Sequence, residues 1–164
     1  MFRDINNSII ILLVSCVSMV GLLSADDCYV LVGSDDSIAN GSEDNPFQTI
    51  GNCINFLGQP DDYDVIHVGP GTYEVDSIDI SVMKLIGSGV NSTILIPKYQ
   101  GTNWLLRLNH EAEISHVAFD SHPIHGYSSG AIEIYDGSGA KVHNCLFKNV
   151  SPNISLNNRH NIEI

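Results

Sequence analysis

Two stretches of nine residues repeat each other twenty-eight positions apart, and this repeat limits the possible folds more than any other feature of the chain. AEISHVAFD spans Ala112–Asp120, and AKVHNCLFK spans Ala140–Lys148. In both stretches the first, third, sixth and eighth residues are small or apolar. The gap of three between Ile114 and Val117 breaks the alternation of a flat strand. We therefore predict a bend or bulge there that keeps the apolar side chains on one face.

The charges of the two copies are complementary. Glu113 of the first copy corresponds to Lys141 of the second, and Asp120 corresponds to Lys148. Parallel strands lie about 4.8 Å apart, so stacked copies would set these opposite charges beside each other. A β-sandwich gives no reason for such a correspondence. We predict that the copies stack as parallel strands and that Asp120 and Lys148 form a structural ion pair.

Most of the chain after residue 60 consists of short strand-like segments bounded by turn residues. These segments are VIHV, TYEV, IDISV, KLIG, TILI, WLLRL, ISHVAF, AIEIY, KVHNCLF and NIEI. A second echo relates Ile132–Ile134 to Ile162–Ile164 at a slightly longer spacing, as expected if turns accept insertions while strands keep their register. Coils of several short strands stack in a parallel β-helix, so we predict an all-β solenoid whose coils occupy residues 61–164.

One short helix is expected before the coils. Apolar residues recur at helical spacing over Phe47–Leu57, with Asn45-Pro46 before them and Gly58 after them. We predict that this helix caps the first coil within a cap region of residues 26–60, so that residues 26–164 form one domain. The last four residues, NIEI, resemble a strand in mid-coil. Solenoids need a cap at both ends, so either a partner covers this end or, as we expect, the chain is truncated at its C-terminus.

Residues 1–25 have the layout of a secretory signal peptide. Arg3 precedes an uncharged run over Ile9–Leu23, which is followed by Ser24 and Ala25. A membrane anchor is the alternative, but about 15 apolar residues fall short of the roughly 20 that span a bilayer. We predict cleavage near Ala25, a secreted or cell-surface protein, and no membrane span after removal of the signal.

The net charge limits which classes of partner the chain can bind, and the cysteines bear on the redox compartment in which it folds. Loss of the signal removes one basic and one acidic residue and leaves the net charge at −12, which disfavours nucleic acid and anionic lipid as partners. In an oxidising compartment Cys28 and Cys53 would form a disulfide, leaving Cys145 as a small buried hydrophobe. Sequons that include Asn40, Asn91 and Asn153 predict glycans at these residues if the host is a eukaryote.

Three stretches between Gly33 and Pro97 carry a resemblance to a known family. They are GSDDSIANGSEDNPFQTI, VIHVGPGTYEV and KLIGSGVNSTILIP. This segment resembles the opening of right-handed parallel β-helix proteins of the pectin-lyase-like superfamily. The resemblance implies the fold and says little about function, because lyases, hydrolases, esterases and surface adhesins share it. It also implies that VGPGTYEV is the corner of an early coil rather than a hairpin.

The catalytic signatures of the enzymes in this superfamily do not occur in the sequence. Asp-Asp pairs are present, as at Asp35-Asp36, but the Asn-Thr-Asp, Gly-His-Gly and Arg-Ile-Lys that accompany such a pair in polygalacturonase-like members are missing, as is the Trp-Ile-Asp-His of pectate lyases. Pectin methylesterases would need a glutamate at the position of Val75, but Glu74 lies one residue earlier. We therefore predict no catalytic residue and a non-catalytic module that binds extracellular polysaccharide or a surface protein. The alternatives are the N-terminal part of a pectate-lyase-, polygalacturonase- or pectin-esterase-like enzyme, and a degenerate product without function.

Acidic residues are the leading candidates for a ligand site. Asp120, Glu133 and Asp136 lie on or just after strands, where stacking could bring carboxylates together around a sugar ring or a calcium ion. Plain surface charge is the competing interpretation. No other cofactor and no other metal is predicted, because the histidines of this region lack a tetrahedral ligand set. Aromatic residues that could stack on sugars, or in the case of Trp104 pack into the core, are Trp104, Tyr99, Tyr127 and Tyr135.

Overall fold

The computed structural model describes residues 26–58, 64–99, 103–121, 130–136 and 139–156. These residues contain thirteen strands and one helix. The elements are β1 (Asp27–Val30), α1 (Ile50–Leu57), β2 (Val65–Val68), β3 (Gly71–Val75), β4 (Ile78–Ser81), β5 (Lys84–Gly87), β6 (Thr93–Pro97), β7 (Trp104–Asn109), β8 (Glu113–Ser115), β9 (Ala118–Asp120), β10 (Gly130–Asp136), β11 (Lys141–His143), β12 (Leu146–Lys148) and β13 (Ile154–Leu156). The predicted signal peptide lies outside the described residues.

The strands form three parallel sheets, which we call A, B and C. Sheet A has the order β1-β2-β5-β8-β11, sheet B has β3-β6-β9-β12, and sheet C has β4-β7-β10-β13. From β2 onward, successive strands along the chain belong to A, B and C in turn, and this cycle occurs four times. The prediction of an all-β chain with parallel sheets and one short helix is confirmed.

The register that the repeat predicts is confirmed strand by strand. In sheet A, Lys141 pairs with Glu113 in the β8–β11 ladder. In sheet B, Lys148 pairs with Asp120 in the β9–β12 ladder. Both pairs are the ones that the sequence repeat predicts, so the two copies are neighbouring parallel strands in each sheet.

The predicted bend within each copy is also present. His116 separates β8 from β9 with a φ of 60°, and Asn144 separates β11 from β12 with a φ of 52°. Each copy is therefore two short strands in different sheets rather than one bent strand. The left-handed residue turns the chain so that Ile114 and Val117 are both fully buried.

The strand that follows β10 in sheet C differs from the expected one. Ile132 pairs with Ile154 of β13, whereas the sequence echo predicted a partner in Ile162–Ile164. The prediction was wrong because the connection from β12 to β13 is much shorter than the connection from β9 to β10, so the chain returns to sheet C earlier. Residues 162–164 lie outside the described part of the chain.

The inward faces of the three sheets form one apolar core. Leu85, Ile114 and Val142 occupy matching register positions in sheet A and are almost completely buried. The buried hydroxyl of Thr93 donates to the carbonyls of Val68 and Gly69. Within the described residues, every buried side-chain nitrogen or oxygen has a hydrogen-bond partner. Buried polar groups in native proteins are nearly always hydrogen-bonded in this way, because an unpaired one would destabilise the core.

The N-terminal end of the core is closed by the helix and the loop before it. The backbone of Phe47 donates to the carbonyl of Tyr29 in β1 and accepts from the amide of Leu31, both at 2.9 Å, so it lies along the outer edge of that strand. The helix starts at Ile50, later than predicted, because the hydroxyl of Thr49 caps it by accepting a hydrogen bond from Asn52 at 3.2 Å. The predicted disulfide between Cys28 and Cys53 joins β1 to the helix, with a Cα–Cα distance of 5.8 Å.

The Gly-Pro-Gly segment joins two different sheets. Val68 ends β2 in sheet A, and Gly71 begins β3 in sheet B. The hydroxyl of Tyr73 donates to the carbonyl of Gly69 at 3.0 Å and so fastens this corner from within. The interpretation of VGPGTYEV as a corner rather than a hairpin is confirmed. Across the described residues, no helix has the length and apolar character needed to cross a membrane.

Candidate functional site

The outward face of sheet C carries a column of alternating charges. Three neighbouring strands each place one charged residue between two apolar ones, as Ile-Asp-Ile in β4, Leu-Arg-Leu in β7 and Ile-Glu-Ile in β10. The strand period of two turns the apolar residues inward and the charged ones outward. Because the strands are in register, Asp79, Arg107 and Glu133 lie side by side across the sheet.

The arginine at the centre of this column bonds to both neighbours. Arg107 Nε donates to Glu133 Oε2 at 3.0 Å, and Arg107 Nη1 lies 3.6 Å from Asp79 Oδ1. The Glu133 side chain is 14% exposed, whereas that of Asp79 is 58% exposed. The well-aligned bond to the more buried carboxylate is the stronger of the two, since exposed ion pairs contribute little.

An aromatic ring completes this surface. The guanidinium carbon of Arg107 lies 5.4 Å from the centre of the Tyr135 ring, and Tyr135 is 52% exposed. This distance is within the range of a cation–π contact. The charge column and the ring together form what we call the sheet C face: Asp79, Arg107, Glu133 and Tyr135. It presents fixed donors, fixed acceptors and a half-exposed ring on rigid strands.

The other aromatic candidates lie elsewhere. Trp104 is half-buried at the start of β7, and its ring covers Gly130 of β10, where a Cβ atom would collide with it. This position favours the packing interpretation of Trp104 over a platform for sugars. Tyr127 lies outside the described residues.

The structure brings only part of the predicted acidic set together. Glu133 and Asp136 both belong to β10, and the backbone of Asp136 pairs with that of Asn109. Asp120 lies on β9, in sheet B, and therefore on a different face from Glu133. Within the residues described, no three His, Cys, Asp or Glu side chains are grouped closely enough to hold a metal ion.

The hydrogen-bond partner of Asp120 is not the predicted residue, Lys148. Lys148 is its register neighbour, but the hydrogen bond that Asp120 Oδ1 accepts comes from Asn149 Nδ2 at 2.9 Å. The reason is geometric, because the left-handed backbone at Asn149, with a φ of 52°, turns the short amide back toward β9. Asp120 thus holds the turn that follows β12, the neighbouring strand of sheet B.

Arg107 and Asp79 were missed in the sequence. The signal that could have revealed them is the triplet of an apolar, a charged and an apolar residue, which recurs in three strands with alternating sign. Asp79 precedes Arg107 by the same twenty-eight positions that separate the two repeat copies, so the repeat itself could have revealed this pair. Glu133 follows Arg107 two positions sooner than that interval predicts. The lengths of loops between strands vary more readily than the strands do.

The predicted glycosylation sites all lie at the surface. Asn40, Asn91 and Asn153 are exposed, in loops or turns between strands. Asn40 Oδ1 accepts hydrogen bonds from the backbone and the hydroxyl of Ser42. Glycosylation at these positions stays a prediction.

Cys145 is the free cysteine of the described residues and is partly buried beside the Asn144 turn. Burial raises the pKa of its thiol, against weaker lowering by hydrogen bonds from backbone groups of Val117 and His116. A thiol held neutral in this way is a poor nucleophile. The geometry therefore favours a packing role for this residue.

In comparisons with known proteins, the chain matches no protein-family model, no curated protein and no solved structure.

Proposed function

We propose that the chain is a right-handed parallel β-helix module, secreted or held at the cell surface, that binds extracellular carbohydrate or protein partners without catalysis. The single observation that carries the binding proposal is the sheet C face, where Arg107 is held between two carboxylates next to an exposed tyrosine. Carbohydrate is the partner class that this face suits best.

The coiled architecture is supported by the order of the strands. Each passage of the chain visits sheets A, B and C in the same sequence, and every ladder is parallel. Connections between parallel strands are right-handed in about 98% of known cases, which supports the right-handed sense. The pectin-lyase-like resemblance of residues 33–97 points to the same fold.

The chemistry of the sheet C face matches the needs of sugar recognition. Sugar hydroxyls both donate and accept hydrogen bonds, and the face offers carboxylate acceptors in Asp79 and Glu133 with a guanidinium donor between them. A half-exposed ring such as Tyr135 can pack against the apolar side of a pyranose, which has many C–H groups. Parallel coils repeat about every 4.8 Å, so the face can follow an extended chain of sugars.

Binding to a panel of plant, microbial and animal polysaccharides tests the proposal. We expect wild-type protein to bind at least one of them on a glycan array, and Tyr135→Ala to weaken that binding by about five- to tenfold, the loss expected for one aromatic contact. Tyr99→Ala is the matched control, because Tyr99 is 57% exposed and also has a cation near its ring, that of Lys98.

The control distinguishes a specific site on sheet C from nonspecific binding by exposed aromatic residues. Equal losses for Tyr135→Ala and Tyr99→Ala would contradict a site on sheet C. If the protein binds no glycan on the array and no protein in pull-downs, the binding proposal is refuted.

An enzyme is the second candidate, and one observation favours it. Asp79 and Glu133 are two carboxylates on the same face, the residue type that glycosidases use in pairs. The Arg107 guanidinium lies between them and would have to move aside to admit a glycosidic bond. Release of reducing or unsaturated ends from polygalacturonate, lost in Glu133→Gln, would establish this activity. Without any release, the enzyme candidate fails.

A further inference from the structure

A separate cleft opens on the outer side of sheet A, near the capped end. Its volume is about 310 Å³. Tyr29 of β1, His67 of β2 and Ile86 of β5 line it at matching register positions. The loop before the helix adds Glu43 and Pro46 to the lining. Sheet A and sheet C are different sheets, so this cleft is distinct from the sheet C face.

One wall of the cleft is a fixed pair of rings. The rings of Tyr29 and His67 stack with their centres 4.7 Å apart and their planes 16° from parallel. His67 Nε2 lies 3.2 Å from Asp27 Oδ1, which fixes the imidazole at the end of the stack. The Tyr29 ring is therefore presented to the cleft in one orientation.

The charge around this wall is negative. The pKa of the Tyr29 phenol is raised, first by desolvation and then by the carboxylates of Asp27 and Glu43, so both carboxylates act on the same ring. Glu43 is exposed and lines the cleft. Since the whole chain carries a net charge of −12, approaching cations are attracted from a distance as well.

The rest of the lining is mostly apolar, with Ser88 as its polar side chain. Leu31, Pro46 and Ile86 line the cleft, and Leu31 is 41% exposed. A long side chain with an aliphatic stem and a cationic head matches this combination of apolar rim, aromatic wall and carboxylate. A polyhydroxylated sugar would leave its hydroxyls against the apolar residues without partners.

We propose that this cleft binds the lysine or arginine side chain of a basic polypeptide segment, with the cation between Glu43 and the Tyr29 ring and the aliphatic stem on Leu31 and Ile86. The partner is a protein with an extended basic stretch. This inference goes beyond the binding of carbohydrate on sheet C and does not depend on it.

An NMR titration of the ¹⁵N-labelled full chain tests the proposal. The probes are the capped pentapeptide Gly-Gly-Lys-Gly-Gly, its arginine counterpart and the norleucine counterpart, which keeps the stem and lacks the charge. We expect the lysine and arginine peptides to shift the amides of Gly69 and Ser88, which lie at the cleft, and the norleucine peptide to bind at least about threefold more weakly. Glucosamine serves as a cation without an aliphatic stem and should bind more weakly than the lysine peptide.

Two variants with the same change of charge locate the site. Glu43→Gln should weaken binding of the lysine peptide by about threefold, whereas Glu74→Gln, an exposed glutamate on sheet B, should leave it unchanged. Equal effects of the two variants, equal binding of norleucine, tighter binding of glucosamine or shifts spread over the whole acidic surface would each overturn the proposal.

Discussion

Truncation of two phenylalanines at matching register positions should have unequal effects on stability. Phe119 of β9 and Phe147 of β12 are register partners in sheet B, and their rings stack 5.2 Å apart with planes 7° from parallel. Phe119 is fully buried, whereas Phe147 is only partly buried at the outer edge of the same sheet. We expect Phe119→Ala to be the more destabilising change.

The magnitude follows from burial and from the shared contact. Phe119→Ala removes a fully buried ring and leaves a cavity, so the free energy of unfolding should fall by about 3–5 kcal/mol. Phe147→Ala removes the same ring from a partly solvated position, and about half of that loss is expected. Because the rings touch, the double variant should lose about 0.5–1.5 kcal/mol less than the sum of the single losses.

Urea unfolding followed by far-UV circular dichroism and by Trp104 fluorescence measures these values. The slope of the free energy with urea should be the same in all four proteins, so that differences in midpoint report stability alone. A loss for Phe147→Ala that equals or exceeds the loss for Phe119→Ala would refute the assignment of β9 as an inner strand and β12 as the edge strand of sheet B. Strict additivity of the two losses would refute the ring stack.

Further predictions concern the cap, the glycines and the free thiol. Replacement of both Cys28 and Cys53 by alanine should lower the free energy of unfolding by about 3.5 kcal/mol, the chain-entropy value for a 25-residue separation. An unchanged free energy of unfolding, measured by calorimetry, would contradict this. Gly87→Ala should destabilise by about 2 kcal/mol or more, because a Cβ there would strike the backbone of His116. Gly51→Ala, in open space on the helix, should stabilise by about 1 kcal/mol, and thermal melts that rank the two variants otherwise would show this packing to be wrong. The raised pKa of Cys145 predicts that a disulfide reagent labels this thiol slowly at pH 8, and labelling at the rate of a free thiol would contradict this. The protein should also lose stability as the pH rises above the ordinary thiol pKa of about 8.5, because only the thiol of the unfolded chain then ionises readily.

Strand pairing was predictable where the sequence repeats itself closely. The pairs Glu113–Lys141 and Asp120–Lys148 follow from the constant offset between the two copies, because residues in register on neighbouring strands share the same environment on the same face. The cap helix and its disulfide were predictable from helical spacing and from cysteine arithmetic in an oxidising compartment.

Side-chain partners were less predictable than the backbone register. Glu113 is a register neighbour of Lys141, yet its carboxylate lies 3.0 Å from His143 Nε2, on the same strand as the lysine. Register fixes Cα positions about 4.8 Å apart, and several side chains then compete for one carboxylate. Which side chain contacts the carboxylate depends on side-chain rotamers, and residue spacing in the sequence does not determine them.

The candidate site was predictable only in part. Glu133 was singled out from its strand, but its partner Arg107 precedes it by a shorter interval than the one that separates the two repeat copies. Asp120 and Glu133 seemed comparable in the sequence, yet the left-handed turn after β8 and the connection after β9 send them to different sheets. Turn geometry decided which carboxylates share a face.

Backbone NOEs of the isotope-labelled protein test whether the two repeat copies lie side by side as parallel strands, which the proposed β-helix requires. We expect parallel cross-strand contacts of Glu113–Ser115 with Lys141–His143, and of Ala118–Asp120 with Leu146–Lys148. Antiparallel contacts between Glu113–Ser115 and Ala118–Asp120, as in a hairpin, would contradict the coiled arrangement and with it the sheet C face.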